Sequence, residues 1–348
     1  VTLSTHRRAF LKSSALIAGA SAVTSSSMAM SLGPPDEPAD AAELRARLLE
    51  CLGGDWPEPC ELEPRVTREE QRKGYRLLWI DYAVEPGDRV PAILMIPDGV
   101  TPASPSAGVT LWHQHAGKWH LGKTEPAGLA GDRMHHTGVA LVRLGYVVLC
   151  PDALCFEQRR DPEGRLKGGD YERYEFLRQV VQGRCMAWKN ILDMRRAVDY
   201  LSGRPEVDPG RLGCYGHSMG STHTWLVGPW EPRLKCLVGN CCLPTYRAIH
   251  RRKLLHCFPN FIPGFHQYGD TPDIAGLIAP RALHLNFGER DASSPIGEVR
   301  RGMERIGQAY ARAGAAGRFT WFIEPGAGHV LSEKMWRRVR ETFGKYLS

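Results

Sequence analysis

The sequence predicts an α/β protein built on one doubly wound, mostly parallel sheet, with an antiparallel hairpin at its start and inserted loops over one edge. Three observations carry the prediction. Short apolar runs alternate with helical stripes along most of the chain. Two β-rich runs, residues 75–84 and 90–96, flank the turn Glu85-Pro86-Gly87-Asp88 and read as a hairpin. The pentapeptide Gly216-His217-Ser218-Met219-Gly220 follows an apolar run and precedes a helix-compatible one, marking an abrupt strand-to-helix turn. With 348 residues and 43% hydrophobic composition the chain can bury a large core. Length alone would admit two domains, whereas the alternation argues for one sheet.

The remaining elements come in order. The parallel part begins at Val109, and residues 147–150 supply the next strand. Leu177, Val181, Trp188, Ile191, Leu192, Val198 and Leu201 then recur at mostly three- and four-residue spacing, which predicts one strong helix used for packing. A Pro209-Gly210 turn leads into the apolar run 211–215, Ser218, and a helix over 221–227. Residues 282–287 and 319–323 are further strands. Val299, Met303, Ile306, Tyr310 and Ala313 form a second helical stripe, and Leu331, Met335, Val339, Phe343 and Leu347 a terminal one.

Small residues on both sides of a tight turn let it push the serine hydroxyl out of the sheet. A serine is a poor nucleophile at neutral pH, so Ser218 needs a histidine to take its proton and a carboxylate to orient that histidine. In chain order, Asp291 lies on the loop after the strand 282–287, in Gly288-Glu289-Arg290-Asp291. His329 closes Glu324-Pro325-Gly326-Ala327-Gly328-His329, where glycines would let the loop approach Ser218. Glu289 competes for the acid role, and Asp291 could instead serve the start of the helix near Pro295. His284 inside a strand and His217 beside the serine are poorly placed as bases.

A negative charge developing on the substrate needs backbone N–H donors. Met219, first in the following helix, is one candidate. His115, in the loop His113-Gln114-His115-Ala116-Gly117 after the strand at Val109, is the second, with Ala116 as the alternative.

On these residues the chain resembles the α/β-hydrolase superfamily over residues 60–348. Leu111-Trp112-His113-Gln114-His115-Ala116-Gly117-Lys118 and Pro151-Asp152-Ala153-Leu154-Cys155-Phe156-Glu157-Gln158-Arg159-Arg160 are similar to its dienelactone-hydrolase-like and acetyl-xylan-esterase-like branch. Dienelactone hydrolases proper use a cysteine nucleophile and haloalkane dehalogenases an aspartate, so Ser218 argues against both chemistries. The resemblance implies a serine hydrolase of carboxylic esters, with Ser218, Asp291 and His329 as triad and Met219 and His115 as oxyanion donors. A small aminopeptidase or acyl-peptide hydrolase could use the same triad. A non-catalytic binding module of this fold would be expected to lack a triad member.

Two insertions should shape the substrate site. Residues 157–175 are charged and follow the strand ending near Cys150, so they should rise over the carboxyl edge. Residues 244–272 hold Phe258, Phe261, Phe265, Tyr268 and three histidines, where relatives carry a cap, and read as a pocket wall.

Thr5-His6-Arg7-Arg8-Ala9-Phe10-Leu11-Lys12 resembles a twin-arginine export motif ahead of a mildly apolar stretch and small residues suited to cleavage. The expected organisation is a signal peptide over 1–30, an extension with a helix over 31–59, and a catalytic domain over 60–348. That implies passage through the twin-arginine machinery to the periplasm or exterior, with no stable membrane span in the mature form. The net charge of +7 includes Arg7, Arg8 and Lys12 in a stretch without acids, so the remainder carries +4. Its basic residues are interleaved with acids, which disfavours nucleic-acid binding. Of ten cysteines, Cys150, Cys214, Cys236 and Cys242 fall in or near apolar strands, while Cys51 and Cys60 could bridge after export. His113, His115, His120, His135 and His136 lack HExxH or paired CxxC spacing, so no metal and no cofactor is expected. The expected partner is a small-molecule or saccharide-linked ester.

Overall fold

The computed structural model describes residues 40–348. All of them fall within one contact unit; the export motif lies outside the described residues. The chain opens with α1 (Ala41–Leu52), capped by the Asp40 carboxylate on the Ala42 N–H. Leu44, Leu48 and Leu52 of this helix enter the core. The helix expected within the extension over 31–59 is therefore packed into the same unit as the sheet.

β1 (Arg65–Arg72), β2 (Tyr75–Glu85) and β3 (Asp88–Pro97) form an antiparallel meander. The sequence reading missed β1 because it is an almost wholly exposed, charged edge strand with no apolar alternation. Then come β4 (Ser106–Trp112), α2 (Thr137–Val142), β5 (Val147–Pro151), α3 (Gly169–Val181), α4 (Met186–Ser202), β6 (Val207–His217) and α5 (Met219–Val227). The second half adds β7 (Leu234–Asn240), α6 (Tyr246–Arg252), α7 (Thr271–Gly276), β8 (Ala282–Gly288), α8 (Ile296–Arg312), β9 (Phe319–Glu324) and α9 (Glu333–Tyr346).

The sheet order is β1-β2-β3-β5-β4-β6-β7-β8-β9. From β5 through β9 all neighbours are parallel, while β3 meets β5 antiparallel. Alternate residues of each strand feed two cores. Val109, Leu111, Val148, Tyr215 and Val238 pack with α2 and α9 on one face; Trp112, Leu149, Leu212, Cys214 and Leu237 pack with α1, α4, α5, α7 and α8 on the other. After β4 the chain lays β5 on one side and later β6 on the other. The order of the sheet thus reverses between β4 and β6, and the carboxyl ends of these strands open a crevice there, the usual place for a ligand in such sheets.

The single helix predicted from Leu177 to Leu201 is two helices. Gly183 takes φ of +76° and turns the chain between α3 and α4, leaving Leu177 and Val181 exposed. Their spacing mimics a buried stripe without burial. The segment 244–272 is also more than a pocket wall: Phe265 and Ile262 are buried in the core, and Phe261 and Tyr268 pack against it.

The strand-to-helix turn explains its own glycines. A Cβ on Gly216 would lie 2.0 Å from the Gly220 carbonyl oxygen, and one on Gly220 the same distance from that of Trp112. Gly220→Ala is therefore expected to destabilise the fold by about 1–3 kcal/mol or more through overpacking, read from the midpoint of urea unfolding. An unchanged midpoint would refute this packing account.

Candidate active site

Ser218 sits between β6 and α5 with φ of +57° and ψ of −119°, a region that costs a non-glycine residue on the order of 1–3 kcal/mol. Its N–H donates to Asn240 O at 2.8 Å, and its carbonyl accepts from Ser221 and Thr222, so the turn is held from both sides. Met219 opens α5, and its backbone therefore stands at the positive end of the helix.

Asp291 lies just after β8, with its side chain only 1% exposed. Its Oδ2 accepts from His329 Nδ1 at 2.7 Å, and its Oδ1 accepts from the Ser293 N–H at 2.9 Å and hydroxyl at 2.6 Å. His329 Nδ1 also reaches the Ser293 oxygen at 3.1 Å. With its proton committed at Nδ1, the ring offers an unprotonated Nε2, the form a general base requires. Burial raises the Asp291 carboxyl, but the His329 and Ser293 contacts outweigh it and hold the group below the usual carboxylate range. Glu289, the competing acid, accepts from the Gly326 N–H and lies exposed. Asp291 is thus the carboxylate that pairs with His329.

The His329 loop docks where a Cβ on Gly288 would come 2.0 Å from the Gly328 carbonyl oxygen. The loop thus lies tight against β8, while nothing stands near the Cβ positions of Gly326 and Gly328. His329 lies beside the turn against His217, whose ring meets it edge-on at 5.1 Å and is tilted in turn against His135 at 4.7 Å. Asn240 Nδ2 donates to His217 Nδ1 at 2.6 Å, while His217 Nε2 and His135 Nδ1 are buried without a hydrogen-bond partner.

His217 and His223 are fully enclosed, and burial drives both well down in pKa, His223 to about 3. Both stay neutral in the fold, whereas the unfolded chain protonates them below about pH 6.5. The unfolded state then binds more protons, so stability falls as pH drops below that value, by up to about 1.4 kcal/mol per histidine per pH unit. Urea midpoints at pH 7.5 and 5.5 test this. The fold should be weaker at pH 5.5, and a midpoint that rises on acidification would contradict the assignment.

The loop after β4 places its residues by buried polar contacts. His113 donates from Nδ1 to Gln114 O (2.8 Å) and accepts the Ala153 N–H at Nε2 (3.0 Å), tying the ends of β4 and β5 together. The His115 ring bonds Glu172 on α3 at 2.9 Å, and Trp119 donates to the same carboxylate oxygen at 2.8 Å. Lys123, 2% exposed, pairs with Asp152 at 2.7 Å and Glu157 at 2.6 Å. Burial pushes the Asp152 carboxyl up to about 6 despite Lys123. The Pro151–Arg160 motif is thus a structural brace, in which Arg159 reaches Asp193 and Asp88. His113 and His115 both pack edge-on against Phe156 at 5.0 Å, whereas His120 is exposed and His136 bonds Ala130 O.

Beside Met219 lies an apolar cluster of Cys155, Phe156 and Met186, with Trp119, Tyr171, Phe176, Cys257 and Phe258 against it. Phe176 of α3, just past the first insertion, stacks on Phe258 of the second at 4.7 Å, and Tyr171 of the first packs against the same cluster. Sequence reasoning placed His217 beside the serine but missed its packing on His329, and it missed Ser293, His135 and Glu172 as neighbours of the site. Of the missed three, Ser293 alone carried a local signal, two residues from Asp291. All ten cysteines, Cys51 and Cys60 included, stand as free thiols.

Fold and site together define a protein of the α/β-hydrolase fold, with a serine on the sharp turn after β6 and an Asp–His pair whose imidazole packs on His217, the residue before that serine. The model of the dienelactone hydrolase family matches residues 124–241, from the loop after β4 to the end of β7. YtaP of Bacillus subtilis (strain 168), provisionally named a hydrolase, is 28% identical over 279 residues, covering 79% of this chain and 89% of YtaP. Acetyl xylan esterase 1 from Thermoanaerobacterium sp. superposes with a TM-score of 0.63 at 17% identity, over 91% of this chain and 96% of the esterase. A glucuronoyl esterase from Solibacter usitatus gives 0.62 at 17% identity, over 87% and 91%. At such identities these structures speak for the fold. No helix among the described residues is long and apolar enough to cross a membrane.

Proposed function

We propose that the protein is a serine hydrolase of carboxylic esters, on small-molecule or saccharide-linked substrates. The observation that carries this reading is the 2.7 Å Asp291–His329 pair beside a serine held at positive φ. The dienelactone hydrolase match over residues 124–241 supports the hydrolase class, and the esterase names of the structural neighbours suggest the substrate class.

Ser218 attacks the ester carbonyl while His329 Nε2 takes its proton, and the Asp291 carboxylate stabilises the imidazolium that forms. The N–H groups of Met219 and His115 hold the oxyanion. His329 then returns the proton to the departing alcohol, and a water, activated by the same imidazole, hydrolyses the acyl-enzyme. The apolar cluster beside Met219 suits an acyl or aryl group.

Purified protein assayed on short- and long-acyl aryl esters, acetylated xylan and aminoacyl anilides should turn over esters. Cleavage of the anilides alone would replace this reading with a peptidase. We also propose export through the twin-arginine route, on the motif at Arg7 and Arg8. Fractionated bacterial cells should carry the protein in the periplasm or medium, and cytoplasmic retention with both arginines intact would end that proposal.

A further inference from the structure

We infer that Cys241, Asp291 and His329 form a three-donor site for a thiophilic divalent cation, Zn²⁺ above all, whose binding switches off the hydrolytic centre. Cys241 follows β7 directly, fully buried, with φ of +56° and its N–H on Asn286 O at 2.8 Å. That backbone turn aims its sulfur at the His329 loop, where the thiol donates to Val330 O at 3.3 Å. The sulfur, an Asp291 carboxylate oxygen and a His329 ring nitrogen all lie within 4.8 Å of one another. Ligands of a tetrahedral Zn²⁺ stand about 3.5 Å apart, given bonds of about 2.0–2.3 Å. The set closes with a small inward turn of the sulfur and a slight opening of the 2.7 Å Asp291–His329 contact.

The donor chemistry selects the ion. One sulfur, one imidazole nitrogen and one carboxylate oxygen suit Zn²⁺ or Cd²⁺, whereas Mg²⁺ and Ca²⁺ prefer oxygen alone. A divalent ion with one thiolate and one carboxylate is neutral overall, which suits a buried place. The His329 side chain is 34% exposed and gives the cation a way in. On binding, the Cys241 thiol loses its proton to solvent and the His329 proton moves from Nδ1 to Nε2, so that the thiolate sulfur and Nδ1 bond the metal, and a water completes the fourth position.

Held through Nδ1 by a dication and carrying its proton on Nε2, the imidazole has no lone pair left to take the Ser218 proton. This inhibitory consequence rests on the hydrolase reading, whereas the binding itself does not. Without the metal the protonated thiol stays on Val330 O and leaves the Asp–His pair undisturbed.

The test separates the two. In Ser218→Ala protein, one equivalent of Cd²⁺ should produce an ultraviolet sulfur-to-cadmium absorption that is lost when Cys241→Ser or Cys241→Ala is added, with far-ultraviolet circular dichroism unchanged. In otherwise native protein, Zn²⁺ should suppress ester turnover and a chelator restore it, and Cys241→Ser should need about tenfold or more Zn²⁺ for the same suppression. A band that is absent, or that persists in both Cys241 variants, overturns the site. Equal Zn²⁺ sensitivity of native and Cys241→Ser protein overturns its inhibitory role. A Cys241-dependent band in a protein that cleaves no ester supports the metal site and counts against the hydrolase reading instead.

Discussion

Replacing Ser218 by alanine should lower kcat on every active ester by about 10⁴- to 10⁶-fold, the scale on which triad serines act, with little change in thermal midpoint. The change removes one oxygen from a half-buried position whose backbone is held by Asn240 O and by the start of α5. The turn therefore survives while the nucleophile does not. Residual turnover should fall to what oriented N–H donors and binding supply. Equal activity of the two proteins would end the serine-nucleophile proposal.

Asp291→Asn should be nearly as damaging, at about 10⁴-fold in kcat. An asparagine amide that donates to His329 Nδ1 moves the ring proton to Nε2, the wrong place for a base that must accept from Ser218. Substrate affinity should change little, so kcat rather than KM carries the loss. The carboxylate also contributes to stability. Its folded pKa is lowered, so that contribution is present above the unfolded carboxylate pKa and fades as pH falls through the folded one. A variant whose kcat stays within about tenfold of native would show that Asp291 does not orient the base.

The parts of the site legible in the sequence are those whose chemistry is local. Gly216, Ser218 and Gly220 announce the turn because a Cβ at either glycine collides with backbone within it or on β4. Asp291 and His329 announce themselves by standing just beyond strands, since strand ends at one edge of a parallel sheet converge. What long-range packing decides was not legible. His217 faces His135 and His329 only because the loop after β4 and the loop after β9 meet over β6. Cys241 stands beside the Asp–His pair because β7 adjoins β8. Glu172 clamps His115 because Gly183 breaks what reads as one helix and frees α3 to lie over the crevice. The charged edge strand β1 escaped for the opposite reason: exposure removes the alternation by which strands are recognised.

The central claim is an acyl-enzyme on Ser218, and its most direct test is a chemical one. Native protein treated with a fluorophosphonate, or trapped during turnover of an activated aryl ester, should gain one adduct by intact mass. Peptide mapping should place that adduct on Ser218, and Ser218→Ala protein should gain none. An adduct mapped to another residue, or ester turnover that proceeds with Ser218 unmodified, would contradict the account.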